Sequence, residues 1–164
     1  MPSATTPRSG ALKTILTAWL IAGTMDGLSA VIHTAIRGNK EPARVFRYIA
    51  SAVFGPDAKT GGASMAIIGV LFHYMIALIF TVLFFLLYPR IPILSKNKIL
   101  VGLGYGAFVW AVMNLLVVPM TRIPAIPFKP DQAAIAMGIL MVCIGLPISI
   151  IVHNYYEKST TPTR

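Results

Sequence analysis

Hydrophobic and polar positions along the chain separate into blocks. Residues 12–36, 63–87, 99–120 and 132–153 are apolar almost throughout, and the chain between them turns polar, basic and proline-rich. Each block reaches the roughly 20 residues that a helix needs to cross a bilayer. None alternates with a period of two, as the strands of a membrane barrel would. Backbone polar groups in lipid have to be satisfied within the segment, which leaves helices for blocks of this length. The pattern predicts an all-α membrane protein, a bundle of four transmembrane helices forming one integral membrane domain over residues 1–164.

The connections differ in character. The longest, residues 37–62, contains EPARVFRYIASAVFGP, in which Pro42 suits a first helical turn and Gly55-Pro56 suits a stop. Over residues 42–54 one face collects Phe46, Ile49, Ala50 and Val53, and another collects Arg44, Arg47 and Ser51. A short amphipathic helix between helices one and two follows, either lying in the membrane interface or capping the bundle. The segment PMTRIPAIPFKPD carries Pro119, Pro124, Pro127 and Pro130, so it cannot be regular helix. It reads as a stiff cap or a shallow re-entrant turn. Pro147, after Gly145, predicts a kink in helix four.

A secretory leader competes for the first block. Arg8 and Lys13 could form its basic region, and Leu28-Ser29-Ala30 resembles a cleavage site. The apolar stretch runs on to Ile36, however, and Asp26 falls where a leader core would be purely apolar. The first block is therefore read as a retained helix.

Composition agrees. The 164 residues are 56% hydrophobic and only 12% charged, about half the charged share of a soluble domain, with a mean hydropathy of +0.75. The net charge of +9 would suggest nucleic acid in a soluble protein. Here the cations are scattered over every connection and both tails, beside apolar spans. They are read as contacts to anionic headgroups of the bilayer, with no nucleic-acid partner. Four spans put both termini on one side. Arg8, Lys13, Arg90, Lys96, Lys98, Lys158 and Arg164 belong to that side, and Arg37, Lys40, Arg44, Arg47, Lys59, Arg122 and Lys129 to the other. The counts are equal. The compact YPRIPILSKNK turn and the flanking Lys13 point to cytoplasmic termini, because short loops and residues near span ends set orientation.

A charge at mid-bilayer costs roughly 2.5–3.5 kcal/mol on the insertion scale, so polar residues in the blocks are expected to face the bundle interior. Asp26, His33, His73 and Asn114 are the main candidates, with Thr24, Ser29, Thr34 and Tyr74 beside them. At a rise of 1.5 Å per residue, Asp26 and His73 both lie about 15 Å from the long-connection end, Asn114 about 9 Å and His33 about 5 Å. Asp26 and His73 can then meet near mid-bilayer with Asn114 just above, while His33 stays near the headgroups. Such a cluster either fixes the register of helices one and two or forms a proton-responsive pair, because burial and mutual attraction shift the two pKa values in opposite directions. Gly23 with Gly27 and Gly102 with Gly106 form two Gly-x-x-x-Gly stripes, for close packing within the chain or for a homo-oligomer seam.

Other chemistry finds little support in the sequence. Cys143 stands alone, so no internal disulfide can form, and no metal-ligand spacing is present. His33 and His73 differ in depth by about 10 Å at helical rise, which disfavours a shared haem. No cofactor or metal site is expected, and the chain lacks a Ser-His-Asp array in register.

Several stretches resemble the YagU-like family of bacterial inner-membrane proteins. They are IAGTMDG in the first block, YIASAVFG followed by Gly61-Gly62 in the long connection, GVLFH in the second block and YPRIPIL at its exit. GLGYGAFVWAVMNLLVVP follows in the third block, with Gly102, Gly106, Asn114 and Pro119 at the family's spacing. The resemblance spans roughly residues 21–119. It implies four spans and bacterial inner-membrane residence, and it brings no established reaction. Some members of the family carry His at the position of Asn114, and some lack the acid of Asp26. Two functions remain in view: a non-enzymatic membrane protein whose buried polar residues serve structure, and a small oligomeric proton-linked transporter or channel using Asp26 and His73.

Overall fold

The computed structural model describes residues 10–38, 41–124 and 129–160. Helix α1 is Ala11–Ile36, α2 is Ala43–Phe54 and α3 is Gly62–Leu87. Helix α4 is Lys98–Ala111 and runs through a wide π turn, Val112–Val117, and a 3-10 turn, Val118–Met120. The last span joins α5 (Pro130–Leu140), a second π turn (Met141–Gly145) and α6 (Leu146–Thr160). Four of these units are long and apolar enough to cross a membrane, as the block pattern predicts, and no strand occurs among the described residues. The chain is an all-α multi-pass membrane protein.

Local chemistry sets the boundaries. Asn97 caps α4 by accepting from the Ile99 and Leu100 backbone N–H groups at 3.0 and 3.1 Å. Pro130 occupies the first turn of α5, where its missing N–H costs nothing. Gly55, at φ +82°, ends α2 in a conformation that disfavours a side chain. Both π turns end two residues before a proline, Pro119 and Pro147. Proline cannot donate to the carbonyl four residues back and its ring crowds that group. The kink expected at Pro147 is thus met by a locally widened turn just upstream of it.

Helix α1 packs on α3 and on the last span, and α4 packs on the last span. Helices α3 and α4 meet where the buried Tyr105 hydroxyl donates to the Phe80 carbonyl at 2.6 Å. Ser149, fully buried, ties α6 to the Lys98 carbonyl of α4 at 2.8 Å. The core is richest towards the terminal end, where Phe80, Phe84, Phe85, Tyr88, Tyr105, Ile148 and Val152 cluster. Tyr88 stacks on Tyr156 and shares a hydrogen bond with His153 Nδ1 at 2.8 Å. The outer faces carry exposed apolar stripes at helical spacing, Leu12, Leu16, Leu20, Leu28, Ile32 and Ile36 on α1, interrupted at Thr24, and Ile67, Leu71, Met75 and Ile79 on α3. Exposed apolar faces of this length suit lipid, not water.

Helix α2 docks on the bundle. A Cβ at Gly69 of α3 would overlap the Phe46 carbonyl, so the α2 backbone rests directly on α3. Ala50 and Ser51 are fully buried. Val53 and Arg44 are exposed and Phe46 and Ile49 half-buried, so the apolar face is shared between α3 and the outside. Ser51, assigned to the polar face from the sequence, instead turns inward and donates to the Tyr48 carbonyl at 2.6 Å. Arg47 also folds in. Its guanidinium grips Glu41 at 2.7 and 2.8 Å and donates from Nε to the Lys59 carbonyl at 2.9 Å. The Arg122 backbone N–H donates to the Ala52 carbonyl at 3.0 Å, tying the segment after α4 to α2. Part of the proline-rich cap expected over residues 119–131 lies outside the described residues.

Candidate functional site

Two places gather polar side chains. The first is the seam between α1 and α3. Gly23 and Gly27 leave a trough on α1 into which His73 and Tyr74 settle. A Cβ at Gly23 would come within 3.1 Å of the Tyr74 ring, and one at Gly27 within 3.2 Å of His73 Nε2. With no side chain in the way, His73 reaches the Gly23 carbonyl at 2.8 Å. A carbonyl only accepts, so Nε2 carries the proton. Tyr74 is clasped from both sides. Its carbonyl accepts from Trp19 Nε1 at 2.7 Å, and its hydroxyl meets Thr24 Oγ1 at 2.9 Å. Phe46 of α2 closes the outside with its ring edge towards His73, centroids 6.1 Å apart.

Asp26, one turn along α1, is half-buried and within electrostatic reach of His73 and of Cys143 in the second π turn. Ser29 donates to the Asp26 carbonyl at 2.7 Å. The carboxylate itself takes no hydrogen bond among the described residues. Asp26 and His73 are therefore neighbours at a common depth.

Asn114 is elsewhere. It is exposed, and its Nδ2 donates to the Trp110 carbonyl one turn back at 2.9 Å. Depth along a span fixes only one coordinate. The last span stands between α4 and α1, and Asn114 sits in the first π turn, where an extra residue per turn rotates the helix face. The Gly102–Gly106 stripe faces the last span. Their added Cβ atoms would meet the backbone of Gly145, Leu146, Leu140 and Met141. Both glycine stripes are thus used within the chain.

The second place is a cleft of about 550 Å³ at the end of the bundle away from the termini. His33 and Arg37 come from α1, Tyr48 from α2, Trp110 and Asn114 from the third span, and Lys129 and Gln132 from the start of the last. None of the lining residues is acidic. Burial raises the Tyr48 phenol above its ordinary value, so it remains a protonated donor. The indole N–H of Trp110 is buried with no acceptor among the described residues. Sequence reasoning singled out His33 and Asn114 but not their partners. Each contributes from a different element, and Arg37 and Lys129 read in isolation as ordinary span-flanking cations. The signal available was that these two cations lie at span ends on one side, next to Gln132.

A shallower groove of about 390 Å³ between Leu20, Ile21, Thr24 and Met25 is apolar and has no titratable group. Among the described residues no three His, Cys, Asp or Glu side chains gather as metal ligands. Compared with protein-family profiles, with curated proteins and with solved structures, the chain matches none of them.

Proposed function

We propose that the chain is a non-enzymatic integral protein of the bacterial inner membrane, with cytoplasmic termini, whose intramembrane polar residues lock α1 to α3. One observation carries this reading: His73, the imidazole nearest mid-bilayer, spends its Nε2 proton on the Gly23 backbone carbonyl across the seam. Tyr74, Trp19 and Thr24 are committed to interhelical bonds in the same way. Groups engaged with backbone hold register and are not free to shuttle protons. The likeness of residues 21–119 to the YagU-like family supports the inner-membrane location.

A second reading rests on Asp26, whose carboxylate faces His73 without a hydrogen bond of its own. In it the pair relays protons within an oligomer. Proton flux into liposomes, measured for wild type and Asp26→Asn beside their thermal unfolding, separates the two. The structural role predicts no flux in either protein and little change in the melting temperature of the variant, because the Asp26 carboxylate takes no hydrogen bond across the seam. Flux in wild type that is lost in a stably folded Asp26→Asn would overturn it.

A further inference from the structure

The α1–α3 seam leaves the basic cleft without a role. Among the described residues the ion pairs are Arg47–Glu41 and His153–Glu157. Arg37 and Lys129 belong to neither, although both are exposed at the cleft. Two cations line the same cleft, and no carboxylate lines it with them. Beside them in the lining stand polar groups: the Tyr48 hydroxyl, the Asn114 and Gln132 amides and the His33 ring. Asp131, the acid next in sequence, is exposed and lies outside the lining. The rest of the lining is largely apolar and includes Leu115, Val118, Ala133 and Ala136. These residues occupy the ends of spans, where headgroups meet acyl chains. A volume of about 550 Å³ lies in the range of sites for small organic groups, roughly 300–1,000 Å³.

We propose that this cleft is a binding site for one anionic phospholipid. Arg37 and Lys129 hold the phosphate. Arg37 offers a planar fork of donors and Lys129 a point charge, a combination suited to phosphate oxygens. Tyr48, Asn114 and Gln132 donate to the remaining headgroup oxygens, and an acyl chain lies along Leu115, Val118 and Ala136. Phosphate chemistry alone would also fit a soluble phosphate ester. The apolar wall contiguous with the cations selects the lipid.

The test is native mass spectrometry of the full chain in detergent, titrated with phosphatidylglycerol, phosphatidylcholine or soluble glycerol phosphate. One phosphatidylglycerol per chain is expected to bind ahead of phosphatidylcholine, and glycerol phosphate is expected not to displace it. Arg37→Gln with Lys129→Gln should weaken binding about 30-fold, from the usual value of a juxtamembrane cation near anionic lipid. Arg90→Gln with Lys96→Gln, the same charge change at the other end, should leave it unchanged. Lys129 precedes α5 and is exposed, so Lys129→Gln alone, expected to weaken binding about fivefold, serves if the double variant does not fold. Equal binding of phosphatidylcholine, or unchanged affinity in the cleft variants, overturns the site. Displacement by glycerol phosphate at matching concentrations overturns the lipid and leaves a soluble phosphate ester as the ligand.

Discussion

Gly102 with Gly106 and Gly23 with Gly27 share one spacing and are met in different ways. The α4 pair is filled by backbone: a Cβ at Gly106 would overlap Met141, and one at Gly145 would overlap Gly102. The α1 pair is filled by side chains, the rings of His73 and Tyr74, held by hydrogen bonds to α1. Apolar surface gains little from helix contact in lipid, so close approach and interhelical bonds decide association. One seam uses the first device and the other adds the second. A glycine stripe in a sequence therefore marks a trough but not what occupies it.

Alanine substitution tests the contrast most strongly. Backbone against backbone has no rotamer to yield, so Gly106→Ala should destabilise by about 3 kcal/mol, the upper part of the usual overpacking range. Gly27→Ala meets only a ring that can pivot, and alanine regains roughly 1 kcal/mol of helix propensity. Its net effect should stay within about 1 kcal/mol. Unfolding both variants in mixed micelles measures the difference. Equal losses would show that the two seams are not distinct in kind.

The next test concerns the bond that the side-chain seam adds. His73→Phe keeps a ring in the trough and removes the bond to Gly23. The Gly23 carbonyl remains in its own helix, so the expected loss is about 0.6 kcal/mol, the average for an interhelical polar contact in a membrane. In a Gly27→Ala background the ring is already displaced, and the same change should cost less. A double-mutant cycle reads this coupling directly. An uncoupled pair would mean that Gly27 does not position His73.

These contrasts mark what was legible in the sequence. The four spans and the shared depth of Asp26 and His73 follow from block length and helical rise, and the helix after Pro42 from its start and stop residues and its apolar face. Both glycine stripes were visible as troughs. Their occupants were not, because the pairing of helices around a bundle is not written in any one of them. Asn114 shows the same limit. Its depth was inferred from counting, but its direction depends on the π turn upstream of Pro119 and on the last span standing between α4 and α1. Ser51 was placed on the polar face by periodicity and turned inward because α2 rests directly on Gly69. The cleft was illegible for a related reason, since its lining comes from both α1 and α2 and from the third and last spans.

The smallest expected effect concerns α2, the element that closes the side-chain seam through Phe46. The hydrogen bond from Arg47 holds the Glu41 carboxyl below its ordinary value, with the charges of Arg47 and Arg44 adding to it. A carboxyl depressed in the folded state contributes stability above its unfolded pKa and loses it as pH falls through the folded one. Docking of α2 should therefore loosen only in acid, below the ordinary carboxylate range, while the α4 crossing, which has no titratable group at Gly102, Gly106 or Gly145, should not respond. Hydrogen exchange of α2 and α4 amides across that range measures both. Glu41→Gln should make the protection of α2 amides, relative to their intrinsic exchange, independent of pH there. The exposed carboxylate makes this a modest effect, but its confinement to α2 is what distinguishes the two halves: one seam is held by backbone shape and is indifferent to protons, and the other is closed by a helix whose first turn is braced by an ion pair.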